Sequence, residues 1–398
     1  MGKKFFLPAL FSVLILAACS PENHTEADSV SGATSRRGPV APVLLSRYMP
    51  AAMADGIVKI AVLVNMEAGD NSRQFIEGCI SSGRAMGFTV DAFVSGGDET
   101  KCGEIAAGIA RADYDGLIFS HGEVDFSYDI LRPIADAGVQ IVTFEALPYR
   151  DGKSIKGLVT TFQDDYRLAK LSLEAMLASV HGEEGRPLRV VRVGCDPGIT
   201  FLDRRAWEFD RLKSQGKIAE AAFVRMSDME NPRAKAQYAL ASALPRFPHG
   251  SVDALWVPWN DFAAGCAEAL AAAGRDDIKL FSVGISNDDL RTMQRNSSIW
   301  LASTAIDPKL AGTVNMRILA AKLAGETVPE TFSFDPQLIK TADLNPAVNI
   351  SNIAMIVPGW GGGEGLFDQY QWMADLKLAE GRYLRLPPEA SPQETMAK

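Results

Sequence analysis

The sequence predicts an α/β molecule made of two doubly wound, parallel-sheet (Rossmann-like) domains. Three observations carry that prediction. Apolar runs of strand length, such as Lys59-Ile60-Ala61-Val62-Leu63-Val64, are hydrophobic throughout, the pattern of a parallel strand covered on both faces. Helix-length segments separate these runs in regular alternation, as β-α-β crossovers require. The alternation runs through two series, and 398 residues with 47% hydrophobic content can fill two cores.

The chain opens with Lys3, Lys4 and an apolar run from Phe5 to Ala17, the charged head and hydrophobic body of a secretory signal. The run is shorter than the roughly 20 residues a membrane-spanning helix needs. It ends in Leu16-Ala17-Ala18-Cys19, which resembles the bacterial lipobox. Residues 1–18 are therefore expected to be a lipoprotein signal peptide, with the mature chain starting at an acylated Cys19. The alternative is an ordinary signal peptide with an incidental cysteine. Residues 19–56 are expected to form a flexible tether. Ser20 to Pro42 is rich in Ser, Pro, Gly, Thr and charge and cannot bury enough apolar surface to offset its ordering entropy. Leu44, Leu45, Tyr48 and Met49 are candidates for docking on the folded body.

The first series runs strand 59–64, helix 72–86, strand 89–94, helix 99–112, strand 116–119, helix 128–137, strand 140–144 and a strand near 157–161. A long helix over 166–180 leads into the second series. That series runs strand 188–193, helix 202–215, strand 221–225, helix 232–244, strand 254–257, helix 262–273 and strand 278–283. Gly87, Gly138, Gly216 and Gly274 stand where several of these helices should stop.

Composition narrows the function. The formal charge is −9, from 40 Lys+Arg against 49 Asp+Glu, which argues against nucleic acid as a partner. Cys79, Cys102, Cys195 and Cys266 have wide, irregular spacing with no metal signature, and buried free thiols are expected. Gly194-x-x-x-Gly198 lacks the lysine of a phosphate loop, and Gly361-Gly362-Gly363 follows no suitable strand–helix unit. The four histidines are His24, His121, His181 and His249, so a histidine triad would rest on His121 alone. The expected strand ends carry the polar groups instead: Asn65-Met66-Glu67, His121-Gly122-Glu123, Glu145, Cys195-Asp196, Trp259-Asn260-Asp261 and Ser286-Asn287. Ligands of open α/β sheets bind beyond such ends.

From about Val58 to Ala342 the chain resembles the bacterial periplasmic sugar-binding proteins of the ribose-binding type, the solute-binding proteins of ABC importers. Several segments carry the resemblance: the strand 59–64 followed by Phe75-x-x-Gly78, Gln163-Asp164-Asp165-Tyr166, Asp203-Arg204-Arg205-Ala206-Trp207-Glu208-Phe209, Ser282-Val283-Gly284 and Leu301-Ala302-Ser303-Thr304. Trp259-Asn260-Asp261-Phe262-Ala263-Ala264-Gly265, similar to the family's Asn-Asp-x-x-Ala-x-Gly turn, is the most specific.

The resemblance implies the periplasmic binding protein type I fold, in which two lobes close on a ligand about a three-strand hinge. The expected crossings lie near Phe162–Gln163, Asp307–Pro308 and Phe334–Pro336. The N-terminal lobe would be 57–162 completed by 308–335, and the C-terminal lobe 163–307 completed by 336–345, with 346–398 as an extension. The polar ligand contacts carried over are Asn65, Glu145, Arg205, Asn260 and Asp307. Each also has a plainer alternative: Glu145 as a solvated strand end, Arg205 paired with Glu208 on its own helix, Asn260 as a helix cap, Asp307 as a turn initiator.

The departures from the pattern bear on the ligand. Asn71 and Ser72 stand where ribose binders place two stacking phenylalanines, Ala146 replaces an arginine, and Ser286 replaces an aspartate. Asn71 and Ser286 are therefore added as candidate contacts. Glu67, Trp259, Phe201 and Met229 are candidates for replacement walls, Trp259 foremost. The resemblance implies a sugar-like ligand, a monomer without cofactor or bound metal, and no catalysis. The expected partner is an ABC permease, alternatively a membrane sensor kinase. A carboxylate-based extracytoplasmic hydrolase is a third, minor alternative. The extension contains Trp360 and Phe367-x-x-Tyr370-x-Trp372 and is expected either to pack on the fold or to dock a partner.

Overall fold

The structure, a computed structural model, describes Pro50 and residues 58–182, 185–226, 231–362, 366 and 370–373. Cys19, the tether apart from Pro50, Met229 and Phe367 lie outside the described residues.

The strands, in chain order, are β1 (Lys59–Val64), β2 (Thr89–Val94), β3 (Gly116–Gly122), β4 (Gln140–Ala146), β5 (Tyr149–Arg150), β6 (Lys153–Ser154) and β7 (Val159–Gln163). They continue with β8 (Leu188–Cys195), β9 (Ile218–Met226), β10 (Ala254–Val257), β11 (Lys279–Val283), β12 (Trp300–Ala305), β13 (Thr331–Phe334) and β14 (Gln337–Lys340). The helices are α1 (Asp70–Ala85), α2 (Glu99–Arg111), α3 (Val124–Asp136), α4 (Asp165–Ser179), α5 (Thr200–Ser214), α6 (Pro232–Ala243), α7 (Asn260–Ala272), α8 (Asn287–Arg295) and α9 (Pro308–Leu323).

The strands form two six-stranded sheets. In the first lobe the order is β13-β7-β4-β3-β1-β2, all parallel. In the second it is β14-β12-β11-β10-β8-β9, parallel except for β14, which runs antiparallel to β12. In each lobe the order doubles back beside the first strand, so the strand ends open on one side at a topological switch point. Three segments pass between the lobes: β7 into α4, β12 into α9, and β13 into β14. The short β5–β6 hairpin, helices α8 and α9 and strands β12, β13 and β14 are additions to the elements expected above.

Burial follows the hydrophobic runs. Residues 60–64 of β1 are fully buried, as are Leu117, Ile118 and Phe119 of β3 and Trp256 of β10. Helix pairs cover the sheets at close range, and glycine makes this possible. A Cβ on Gly78 of α1 would lie 2.1 Å from the Lys309 carbonyl oxygen of α9, and one on Gly312 of α9 would lie 2.0 Å from that of Phe75. The second lobe repeats the device, with Gly265 of α7 against the Arg233 carbonyl of α6 at 2.0 Å. Cys79, Cys102 and Cys266 are buried free thiols, and burial pushes the Cys102 thiol up to about 11. Among the described residues no helix is long and apolar enough to cross a membrane.

Candidate ligand-binding cleft

The carboxyl ends of the first lobe's strands supply one wall of the cleft. Asn65 follows β1; its backbone N–H donates to the Ser120 carbonyl at 2.8 Å, and its side-chain oxygen accepts from the Ser95 hydroxyl. One residue thus ties the ends of β1, β2 and β3 together. Beside it, two non-glycine residues sit in the left-handed region at neighbouring strand ends, His121 with φ +65° and Glu145 with φ +53°. Such backbone persists only where the surroundings enforce it, and it clusters at ligand sites. The His121 ring lies edge-on to Phe144 at 5.6 Å, with Nδ1 against the Ser120 hydroxyl. Burial lowers its pKa to about 4, so the ring is neutral at physiological pH.

Glu145 points at the hinge. Its Oε1 accepts the Gln163 backbone N–H at 2.6 Å, where β7 leaves the first lobe. Burial, then the nearby Asp165 charge, pushes its carboxyl up to about 7, against the pull of Arg205 and Arg204. Across the hinge, Asp165 at the start of α4 gathers both arginines, Nε of Arg205 at 2.9 Å and Nε of Arg204 at 3.0 Å. Arg205 is buried, donates from Nη1 to the Pro258 carbonyl at 2.7 Å and lies over the Phe201 ring at 4.8 Å. Glu208 pairs with Arg211 instead. Asp165 was visible in the sequence as part of Gln163-Asp164-Asp165-Tyr166, but nothing in that segment revealed its partners.

The second lobe's wall is built from helix starts. Trp259 immediately precedes α7, half-buried, edge-to-face with Phe262 at 5.0 Å and Phe201 at 6.1 Å. Asn260 donates from Nδ2 to Asp289 at 2.7 Å. Gly284 (φ +93°) lets the chain pass against Asn260, since a Cβ there would lie 2.3 Å from its Oδ1. Ser286 caps α8: its hydroxyl accepts the Asp289 N–H at 3.2 Å and donates to the Asp289 carboxylate at 2.6 Å. Asp289 is buried and pushed up to about 7, mainly by desolvation. Its signal was the Ser286-x-x-Asp289 spacing, a capping pattern. Asp307 caps α9, accepting from Lys309 N–H at 2.8 Å and Leu310 N–H at 3.2 Å.

The lobes touch across the cleft. Asn71 Nδ2 in α1 donates to the Ile285 carbonyl at 3.1 Å, and the Asn287 N–H donates to Asp70 Oδ2 at 3.0 Å. A first-lobe carboxylate therefore sits at the N-terminus of a second-lobe helix, where the helix dipole favours negative charge. Glu67 is exposed, and its charge reaches Asp261 on the opposite wall, adding to the rise that burial gives that carboxyl. Of the residues expected at the site, Asn65, Glu67, Asn71, Trp259, Asn260 and Ser286 lie just past strand ends or at helix starts. Glu145, Arg205 and Asp307 lie at the hinge. Among the described residues no group of three or more His, Cys, Asp or Glu could hold a metal ion.

Residues 60–327 match the periplasmic binding protein domain family. The chain belongs to the periplasmic binding protein family. No curated protein matches it. Among solved structures, a sugar ABC transporter protein from Yersinia enterocolitica subsp. enterocolitica 8081 is 32% identical, with a TM-score of 0.68 over 84% of this chain and 98% of that one. The 5-methylthioribose transporter solute-binding protein of Thermotoga lettingae, solved with 5-methylthioribose, is 23% identical, with a TM-score of 0.67 over 84% and 99%. The periplasmic ribose ABC transporter protein of Conexibacter woesei is 16% identical, with a TM-score of 0.63 over 75% and 95%. As a periplasmic binding protein, the chain has the type I fold expected from its sequence, and the family implies work outside the cytoplasm.

Proposed function

We propose that this periplasmic binding protein is an extracytoplasmic lipoprotein, anchored through Cys19, that captures a sugar or sugar-like ligand and delivers it to an ABC importer without turnover. The observation that carries this reading is the joining of two polar strand-end walls by Asp70 and Asn71 across one cleft. Sugars offer hydroxyls in fixed directions and apolar ring faces, and such walls answer with amides, carboxylates and an aromatic edge. The sugar-transporter relative at 32% identity supports the ligand class.

In this reading Asn65, Glu67, Glu145 and Trp259 meet the ligand directly. Arg205, Asn260, Ser286 and Asp307 set the frame through their bonds to Asp165, Asp289, the α8 start and the α9 start, and Asn71 closes over the bound molecule. The lobes are 57–162 with 308–335 and 163–307 with 336–345. Ligand held by one lobe gains the other lobe's contacts only on closure, which shifts the population toward the closed form. The ABC permease reads the paired lobe surfaces of a monomer.

A thermal-shift screen against pentoses, hexoses, polyols, sugar acids, nucleosides and 5-methylthioribose tests this. One chemical class is expected to raise Tm by roughly 5 °C at a hundredfold excess over Kd, and to be recovered unchanged. A flat response across the panel, or consumption of the compound, would overturn the proposal.

A further inference from the structure

The three hinge segments are not the only covalent route between the lobes. After β14 the chain first docks on the second lobe, where Val348, Ile350, Ile353, Val357 and Trp360 are buried in its core. It then returns to the first lobe, where Trp372 and Met373 are buried in that core, with Leu366 and Tyr370 packed beside them. Tyr370 donates its hydroxyl to the Thr327 carbonyl at 2.7 Å, just past α9.

Between these anchors the chain runs over the hinge. A Cβ on Gly359 would lie 1.9 Å from the Gln337 Oε1, at the third crossing. Gly361, at φ +73°, passes beside Asp307 at the second crossing, where a Cβ on it would lie 3.7 Å from the Asp307 Oδ2. The same segment also reaches the cleft rim, because the Ile350 N–H donates to Asn287 Oδ1 at 2.8 Å. Asn287 is the residue whose own N–H meets Asp70 of the opposite lobe.

We propose that the C-terminal extension is a strap: a fourth connection that limits how far the lobes open without ligand, and that positions Asp307 and Asn287 for closure. Five residues, 361–365, separate Trp360 from Leu366, and four of them are glycine. Six Cα–Cα steps span at most about 20 Å fully extended, which bounds the separation of Trp360 and Leu366. A rotation that would part these two anchors further than that is stopped. Restricting the open ensemble raises the fraction of molecules competent to close, so the strap strengthens apparent affinity without touching ligand.

The test needs no ligand, so it stands apart from the identity of the transported molecule. Spin labels at Glu104→Cys and Lys217→Cys, one exposed position in each lobe, report the lobe separation in a Cys195→Ser background. Two variants remove the first-lobe anchor while keeping the second-lobe docking: a chain ending at Gly362, and the full chain carrying Tyr370→Phe with Trp372→Ala. Both are expected to give a longer mean distance and a wider distribution than the parent. Once a ligand is in hand, both should bind it roughly threefold more weakly or worse. Distance distributions that superimpose on the parent's, or that shorten, in either folded variant would overturn the strap.

Discussion

Asp165 and Arg205 form the most buried ion pair at the hinge, with side chains 1% and 4% exposed, whereas Arg204, on the same carboxylate, is 41% exposed. Breaking a buried pair from one side leaves an uncompensated charge, so Arg205→Ala should cost about 3–5 kcal/mol. Arg204→Ala should cost under about 1 kcal/mol. Urea denaturation of the two variants measures the difference, and equal losses would contradict it. Glu145 and Asp289 make a pH prediction. Both carboxyls are pushed up to about 7 in the folded state, chiefly by burial. Between the ordinary carboxylate range and about pH 7 the folded protein therefore binds protons that the unfolded chain has released. Their contribution to stability is full below the unfolded pKa and is lost as pH rises through about 7. Asp277, held down at about 2 by Arg275, acts only in the acid range, but His121, lowered to about 4 by burial, acts with the opposite sign up to the ordinary histidine range, so the carboxyls are read from the difference between parent and variant. The double variant Glu145→Gln, Asp289→Asn should flatten the fall in stability between about pH 5 and pH 7.5, which is on the order of a few kcal/mol. A double variant whose stability changes with pH across that range just as the parent's does would refute the assignment.

At the scale of elements, the helix pairs predict opposite outcomes for the same substitution. Gly312→Ala places a methyl 2.0 Å from the Phe75 carbonyl oxygen, where backbone must move, and should cost about 1–3 kcal/mol. Gly108→Ala, in α2 with nothing within 4 Å of the new methyl, should stabilise by up to about 1 kcal/mol through helix propensity. Thermal melts that move in the same direction would contradict the packing at the α1–α9 crossing. Most strands of both sheets and helices α1 to α7 were legible in the sequence, because parallel strands are apolar throughout and several connecting helices end in glycine, whereas β12, α9, β13 and β14 lie past the last element expected. Helix α8 was less legible: of its nine residues only Leu290 and Met293 are apolar, and Ser286-x-x-Asp289 marks its start. The β5–β6 hairpin, two residues per strand, has no periodicity to detect. Of the cleft residues, those at strand ends could be placed by topology alone. The partners of Arg205 and the contact of Asn71 with Ile285 join residues 40 and 214 positions apart, distances no local pattern encodes.

For the whole molecule, what matters is the balance between open and closed lobes. Asp70 and Asn71 contribute the contacts that hold the cleft shut, while the hinge polar groups Glu145 and Gln163 and the extension past Trp360 govern its opening. Asp70→Ala with Asn71→Ala removes both cross-cleft hydrogen bonds and leaves each lobe's core intact. Ligand affinity should fall roughly three- to tenfold, because a smaller fraction of molecules is closed, while melting of the ligand-free protein changes little. Unchanged affinity would place those contacts outside the closure pathway. The central claim, capture of a sugar-like molecule between the two lobes, is tested most directly by calorimetric titration of the compound that most raises Tm, run at several temperatures. The account predicts saturation at one ligand per chain with a negative heat-capacity change, as apolar surface is buried on closure. Titrations without saturable heat, or a stoichiometry other than one, would contradict it.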